Sequence, residues 1–328
     1  MTNIFGKKVL FFSPIVNILR TVIFMRHLRL FQYIDAIVRE GSVRRAAEKL
    51  YVTASALDRR LQDLEEELGT PLFERHARGM RLTAAGELFL RYIRQHMAET
   101  QRLQSEVDRL KGLQQGQVAL AVSPALASDF IPRLVRAFRR QHPGISFLIK
   151  VSPHEMAIRD LLAFDVDLAI IIAPPRHPDV FDLAVVKQPL MAALDSEHPL
   201  AQQERLRLSD CLQYPIILPA TGLTTREMLD SALIPLGREV KVAAETNSYE
   251  VMRSLLQGTE SIGFILSTGD RQPNPAHGIR YRPVASKEIH PVPIICAQLR
   301  SRGLSVAAAQ FSHLVIQEME LLFTEKLG

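Results

Sequence analysis

Tryptophan is absent from this 328-residue chain, aromatic residues make up 6% of it, and there are only two cysteines, Cys211 and Cys296. Two thiols exclude a disulfide-built scaffold. No Cys-x-x-Cys pair and no His/Cys cluster at zinc-ligand spacing occurs, so a structural zinc module is excluded as well. No run approaches the roughly 18 apolar residues that a membrane-crossing helix needs. Glycine-rich phosphate loops and the Gly-x-Ser-x-Gly nucleophile elbow are missing. The histidines are scattered, and His142, His177, His198 and His290 each precede a proline, as turn residues do. Cys211 and Cys296 sit in apolar surroundings and read as inert core thiols. No catalytic residues, metal or cofactor are therefore expected.

What is present is ordinary globular material: 47% hydrophobic and 23% charged residues, enough for cores in two or three domains. The net charge of +5 is unevenly placed. Residues 1–24 hold three cations and no acid, residues 25–111 hold 16 Lys/Arg against 13 Asp/Glu, and residues 112–328 hold 21 against 22. The excess in the first third suits nucleic acid or another anionic partner. Residues 1–24 open like a signal peptide, with Lys7-Lys8 before Val9–Phe12, but Pro14, Asn17 and Arg20 break the apolar stretch and no small-residue cleavage site follows. This segment reads as a start-site artefact or a disordered extension ahead of Met25, not as an anchor.

Residues 25–82 read as a compact helical unit. Leu30, Phe31, Ile34, Ile37 and Val38 recur at helical spacing and Gly41 ends that helix. Ser42 is placed to cap a second helix with Ala46, Ala47 and Leu50 inward. After the turn at Tyr51–Thr53, Leu57, Leu61, Leu64 and Leu68 form the stripe of a third helix, whose opposite face carries Ala54, Ser55, Asp58, Arg59 and Gln62. Two short helices around a tight turn, the second with a polar outer face, make a helix-turn-helix, whose second helix enters the major groove. Residues 72–82 read as a hairpin turning at Gly79 and carrying Arg75, Arg78 and Arg81, a wing suited to phosphates or the minor groove.

Residues 26–111 resemble the DNA-binding region of LysR-type transcriptional regulators. The resemblance is carried by Leu28, Phe31, Gly41, Ser42, Ala46, Ala47, Leu50, Ala56-Leu57 with Arg59, the run Leu64–Gly69, Leu72–Arg75, Arg78-Gly79, Leu82-Thr83 and Ala85-Gly86. It implies a double-stranded operator or promoter DNA as partner, contacted by Ser42, Thr53, Ala54, Ser55, Asp58, Arg59, Gln62, Arg75 and Arg78. It also implies a homodimer or homotetramer in the cytoplasm and a possible RNA polymerase contact. Two residues depart from the family's usual pattern. Ala54 stands where Gln is common and lacks the bidentate reach to adenine; Asp58 stands where Ser is common. Asp58 either accepts from a cytosine amino group or pairs within the protein with Arg44, Arg45 or Arg59.

Residues 83–113 read as one long helix capped by Thr83. Its stripe Phe89, Ile93, His96, Thr100, Leu103, Val107, Leu110 is spaced 4, 3, 4, 3, 4, 3, which suits either a coiled-coil seam with a second chain or packing on its own domain. The family resemblance favours a dimer linker.

Residues 116–325 alternate strand and helix, which predicts mostly parallel sheets. They resemble the family's effector domain, a two-lobed α/β fold of the periplasmic-binding-protein type II kind. Lobe one is expected over 116–187 and 295–325, lobe two over 190–290, with a small-molecule effector between them. The polar residues at strand ends and helix starts are Ser123, Ser152, Thr221, Thr224, Asn247 and Ser248. Each is an ordinary N-cap when taken singly; together they outline a pocket for a small anion. Arg226 is either a partner for an effector carboxylate or an exposed helix arginine. The fold class is thus mixed: a winged helix-turn-helix, a linker helix and a two-lobed α/β domain. Two other readings, a solute-binding module and an enzyme using the α/β cleft, are opposed by residues 26–82 and by the missing acid/base pairs.

Overall fold

The structure is a computed structural model that describes residues 28–76, 79–110, 115–234, 237, 240–266, 278–285 and 289–323; the segment 1–24 lies outside them. The chain divides into two compact units that meet at Val107/Asp108.

The first unit begins with α1 (Arg29–Glu40), α2 (Val43–Leu50) and α3 (Ala54–Leu68). Glycine is needed after α1 and α3 because the chain turns left-handed there, at Gly41 (φ 61°) and Gly69 (φ 66°). Ser42 caps α2 by accepting from the Arg45 N–H, and Thr53 caps α3 by accepting from the Ala56 N–H. The three helices bury Ile34, Ile37, Ala46, Ala47, Leu57, Leu61 and Leu64 against one another. Each large apolar side chain removed from water contributes about 1.5–3 kcal/mol. Leu68, expected in that stripe, is 42% exposed. The helix outruns the core there, ending one residue before Gly69.

The hairpin is β1 (Phe73–His76) paired antiparallel with β2 (Gly79–Leu82). The Met80 N–H donates to the Gly41 carbonyl, fixing the wing to the α1–α2 turn. Helix α4 (Ala84–Leu110) follows, with the Thr83 hydroxyl oxygen accepting from the Gly86 N–H while its own hydrogen goes to the Pro71 carbonyl. Ile93 is fully buried in this unit's core and Phe89 packs edge-on against Phe31. The early part of the expected seam is therefore consumed within the chain, because α4 must cover α1. Leu103 of that stripe stays exposed, as do Leu88 and Tyr92 outside it.

The second unit holds two sheets. Its elements in chain order are β3 (Gly116–Val122), α5 (Pro124–Ala127), α6 (Phe130–Gln141), β4 (Ile145–Val151), α7 (His154–Leu162), β5 (Leu168–Ile172), β6 (Val180–Gln188), β7 (Leu190–Asp195), β8 (Leu206–Arg207), α8 (Leu208–Cys211), β9 (Ile216–Pro219), α9 (Thr224–Leu233), β10 (Val242–Thr246), α10 (Tyr249–Leu256), β11 (Ile262–Leu266), β12 (Ile279–Ala285), β13 (Val292–Leu299) and α11 (Val306–Phe323). Lobe one is the sheet β4-β3-β5-β13-β6 and lobe two the sheet β10-β9-β11-β7-β12-β8. In lobe one the period of two is strict. Val118, Leu120, Val122, Leu168, Ile170 and Cys296 face α6 and α11, while Ala119, Ala121, Ala169, Ile171 and Ala297 face α7. Small alanines on that second face let α7 lie close.

Among the described residues five of the nine strand pairings in these sheets are parallel, in line with the expectation, and four are antiparallel. β13 runs antiparallel to both β5 and β6, and β7 runs antiparallel to both β11 and β12. These are the strands next to the two crossings between lobes. A chain that leaves one lobe and enters the other arrives travelling against the strands already there. The crossings fall at Pro189 and between β12 and β13.

Candidate functional site: a DNA-reading face and an interlobe cleft

Helix α3 presents Ala54, Ser55, Arg59 and Gln62 to solvent, with Thr53 exposed at its start and Ser42 half-buried on the adjoining turn. The surrounding cations differ in how far they are already engaged. Lys49 pairs with Glu40 at 2.6 Å, Arg44 with Glu48 at 3.3 Å, and the Arg45 guanidinium donates to the Glu40 carbonyl. The Lys49 hydrogen bond holds the Glu40 carboxyl below the usual carboxylate range. Arg59 makes no hydrogen bond or ion pair among the described residues and stands exposed on the outer face of α3.

Asp58 is paired, though not with any of the partners weighed from the sequence. Its Oδ1 accepts from Arg75 at 2.6 Å, and its Oδ2 accepts from Gln62 at 3.4 Å. Arg44 and Arg45 are occupied on α2, and the wing folds back so that β1 brings Arg75 over α3. Asp58, Gln62 and Arg75 thus form one network across helix and wing. Ser42 and Thr53 spend their hydroxyls as caps. Arg78 lies outside the described residues.

The second unit has a cavity between its lobes. Lobe one supplies Ser123, Pro124, Pro153, His154 and Ile172; lobe two supplies Thr224, Thr225, Tyr249 and Leu266. Its volume is about 20 Å³, room for about one water molecule. Thr225 and Tyr249 share a buried hydrogen bond of 2.8 Å on its wall, and burial pushes the Tyr249 hydroxyl up to about 12, so it stays protonated. The first residues of α7 and α9, His154 and Thr224, both line it, so two helix N-termini open onto the cavity.

Of the six residues expected at this pocket, Ser123 and Thr224 line it. Ser123 stands at the N-cap position of α5 but its side chain makes no cap bond: its buried hydroxyl oxygen accepts from the Ile172 N–H at 3.1 Å, tying the ends of β3 and β5 together. Ser152 sits one residue short of the cap position of α7, and its buried hydroxyl has no partner among the described residues. Ser248 is a cap, accepting from the Val251 N–H, while Thr221 and Asn247 are exposed. Arg226 is half-buried rather than exposed, and its guanidinium is engaged within the protein. It pairs with Asp230 at 2.9 Å and Glu245 at 3.3 Å and donates to the Pro219 carbonyl.

Comparison with known proteins decides the lineage. Residues 28–87 match the family "Bacterial regulatory helix-turn-helix protein, lysR family", and residues 111–320 match the LysR substrate binding domain. The chain belongs to the LysR family of transcriptional regulators. It is 28% identical to a RuBisCO operon transcriptional regulator of Allochromatium vinosum over 71% of this chain and 76% of that one. It is 26% identical to the transcriptional dual regulator GltC of Bacillus subtilis over 88% and 96%. Among solved structures, a full-length OxyR from Pseudomonas aeruginosa matches with a TM-score of 0.64 and 18% identity, covering 90% of this chain and 95% of that one. A full-length CbnR bound to its target DNA matches with a TM-score of 0.55 and 21% identity, covering 89% and 99%. Both share the fold. The families and relatives matched are transcriptional regulators carrying an effector-binding domain, and neither a solute-binding module nor an enzyme is favoured.

In this LysR-family chain, sequence reasoning missed His154, Thr225 and Tyr249 at the cleft. Pro153-His154 had a readable signal, a residue at the start of a predicted helix beside an expected ligand position. Thr225 and Tyr249 had none, since only the packing of α9 against α10 brings them together. The two thiols behave as read: Cys211 and Cys296 are buried, and desolvation pushes both up to about 12.

Proposed function

We propose that this LysR-family regulator reads its operator through the outer face of α3 and the wing, as a homo-oligomer in the cytoplasm. Residues 25–82 act as the DNA-binding unit, 83–113 as the linker and 116–325 as the effector domain, with an RNA polymerase contact as its route to transcription. Ser42, Thr53, Ala54, Ser55, Asp58, Arg59, Gln62, Arg75 and Arg78 form the DNA-facing set. The observation that carries the reading is the contrast on the helical unit: the α2 cations are engaged by acids or carbonyls, while Arg59 faces outward with no partner among the described residues. An unengaged guanidinium on a major-groove helix suits guanine or phosphate.

Association of two copies is supported by exposed apolar surface on Leu88, Tyr92 and Leu103 of α4 and on edge strand β4. A dimer presents two reading helices to a two-fold-related site.

The effector set is Ser123, Ser152, Thr221, Thr224, Asn247 and Ser248, to which the cleft geometry adds His154. A small anion is favoured by two helix N-termini opening on the cavity. Because the cavity holds about 20 Å³, effector entry moves the lobes apart at the crossings. Coupling follows if the parted and closed arrangements differ in how they space the DNA-binding units.

The test is titration of the full chain against its own upstream intergenic DNA and against random duplex at two salt concentrations. Tight, site-selective, salt-sensitive binding by a dimer or tetramer is expected. Absence of binding to any DNA overturns the reading.

A further inference from the structure

Four consecutive residues of α1, Ile34, Asp35, Ala36 and Ile37, are buried, and one of them is a carboxylate. An acid in such a run costs desolvation unless it is paired. Asp35 uses both oxygens. Its Oδ1 accepts from the Arg94 Nε of α4 at 2.6 Å, and its Oδ2 accepts from the Arg39 Nε, one turn along α1, at 2.5 Å. The Arg39 side chain is 43% exposed, while that of Arg94 is 13% exposed. The buried charged contact therefore joins α1 to α4, across 59 positions of chain. A buried pair of this kind adds little net stability over apolar residues of the same volume; what it adds is a fixed arrangement.

The neighbouring contacts of α4 are of another kind. Ile93 is fully buried beside Arg94, and Phe31 meets Phe89, Tyr92 and His96 edge-on, with centroids 6.3, 6.1 and 6.5 Å away. Apolar attraction is not directional, so such a surface lets a helix slide or tilt. The Asp35–Arg94 hydrogen bond is directional and tolerates only a few tenths of an ångström. It therefore sets the angle at which α4 leaves the helical unit. The leverage is large. From Arg94 to the exposed Leu103, α4 runs about 14 Å, so a tilt of about 15° moves the far end by about 3.5 Å, close to the rise of one base pair. A two-fold seam with a second copy counts that displacement twice.

We propose that Asp35 and Arg94 are positioning residues for operator spacing. By holding α4 at one angle to the helical unit, they set the distance between the two reading helices of a dimer, and so the half-site spacing that the dimer accepts. This role rests on the dimeric DNA reading given above. Neither residue touches DNA in it; both act through α4.

The test titrates the full chain against its bound upstream segment, against the same segment with a base pair added or removed at its centre, and against a duplex holding a single half-site. The wild-type chain is expected to lose about tenfold in affinity when the spacing changes by one base pair. Arg94→Gln and Asp35→Asn flatten that loss to within about threefold, and Arg94→Lys, which keeps the charge but not the planar fork, falls between. Affinity for the single half-site stays within about twofold in each variant. A spacing profile as sharp in Arg94→Gln as in the wild type overturns the inference. So does a fall in half-site affinity that keeps step with the full site in both Arg94→Gln and Arg94→Lys, because the pair would then only support the fold. A wild-type chain indifferent to spacing overturns the dimeric reading itself, and the inference with it.

Discussion

Asp58 shows how one side chain changes what a DNA-reading face does. An acid in the groove repels phosphate, yet here it is satisfied by Arg75 of the wing at 2.6 Å. The pair removes one cation from the non-specific attraction to DNA. Asp58→Ala therefore frees Arg75. Binding to random duplex is expected to tighten, with the salt slope steeper by about 0.9, while the preference for the specific site shrinks. Filter binding over a salt series checks this, and weaker binding to the specific site with random duplex unchanged would instead make Asp58 a base contact. His198 is a second case. It sits in the turn that follows β7, as its place ahead of a proline suggests, and it is also buried. Its Nδ1 accepts from the Leu200 N–H, its Nε2 donates to the Glu260 carbonyl, and it stacks on Tyr214. Burial lowers its pKa below the ordinary 6.5. The unfolded chain then takes up a proton that the folded one refuses. Stability is complete above about pH 6.5 and falls below it, by up to about 1.4 kcal/mol per pH unit until the folded pKa is reached. Melting curves across this window, flatter in His198→Gln, test the assignment.

Among the elements, the wing depends most on a single backbone position. Gly79 has φ 128°, and a methyl placed on it would fall on the Gly41 carbonyl oxygen, the same oxygen that accepts from the Met80 N–H. Gly69, also left-handed at φ 66°, has open space around it. Gly79→Ala is therefore expected to cost about 1–3 kcal/mol and to weaken DNA binding by unseating the wing. Gly69→Ala should cost about 1 kcal/mol and leave DNA affinity alone. Parallel denaturation and DNA titration of the two variants separate strain from collision. Helix α4 divides its labour differently: one side of its first turns covers the helical unit through Ile93 and Phe89, while Leu88, Tyr92 and Leu103 remain apolar and exposed.

For the molecule as a whole, the exposed edge matters. β4 closes one side of the five-stranded sheet, with Leu148, Ile149 and Val151 each more than a third exposed. An apolar edge left open invites pairing with another chain. Ile149→Lys is expected to weaken self-association at least tenfold in analytical ultracentrifugation. Its effect on the melting of the isolated subunit should stay within about 0.5 kcal/mol.

Much of this protein is legible in its residue order. Leu57, Leu61 and Leu64, the caps Ser42 and Thr53, and the stops at Gly41 and Gly69 are local signals, and local signals set helices and turns. The family's dense pattern over residues 26–111 marks the helix-turn-helix in the residue order. Strand direction was less legible, because whether β7 and β13 run with or against their neighbours depends on where the chain crosses between lobes. Polar partnership was least legible. Asp58 meets Arg75 17 positions on, Thr225 meets Tyr249 24 positions on, and Arg226 meets Glu245 of strand β10. Secondary structure and family follow from periodicity and neighbouring residues. Which charges are left free for DNA or an effector is decided only when distant segments pack, because an ion pair or buried hydrogen bond depends on distance in space and not along the chain.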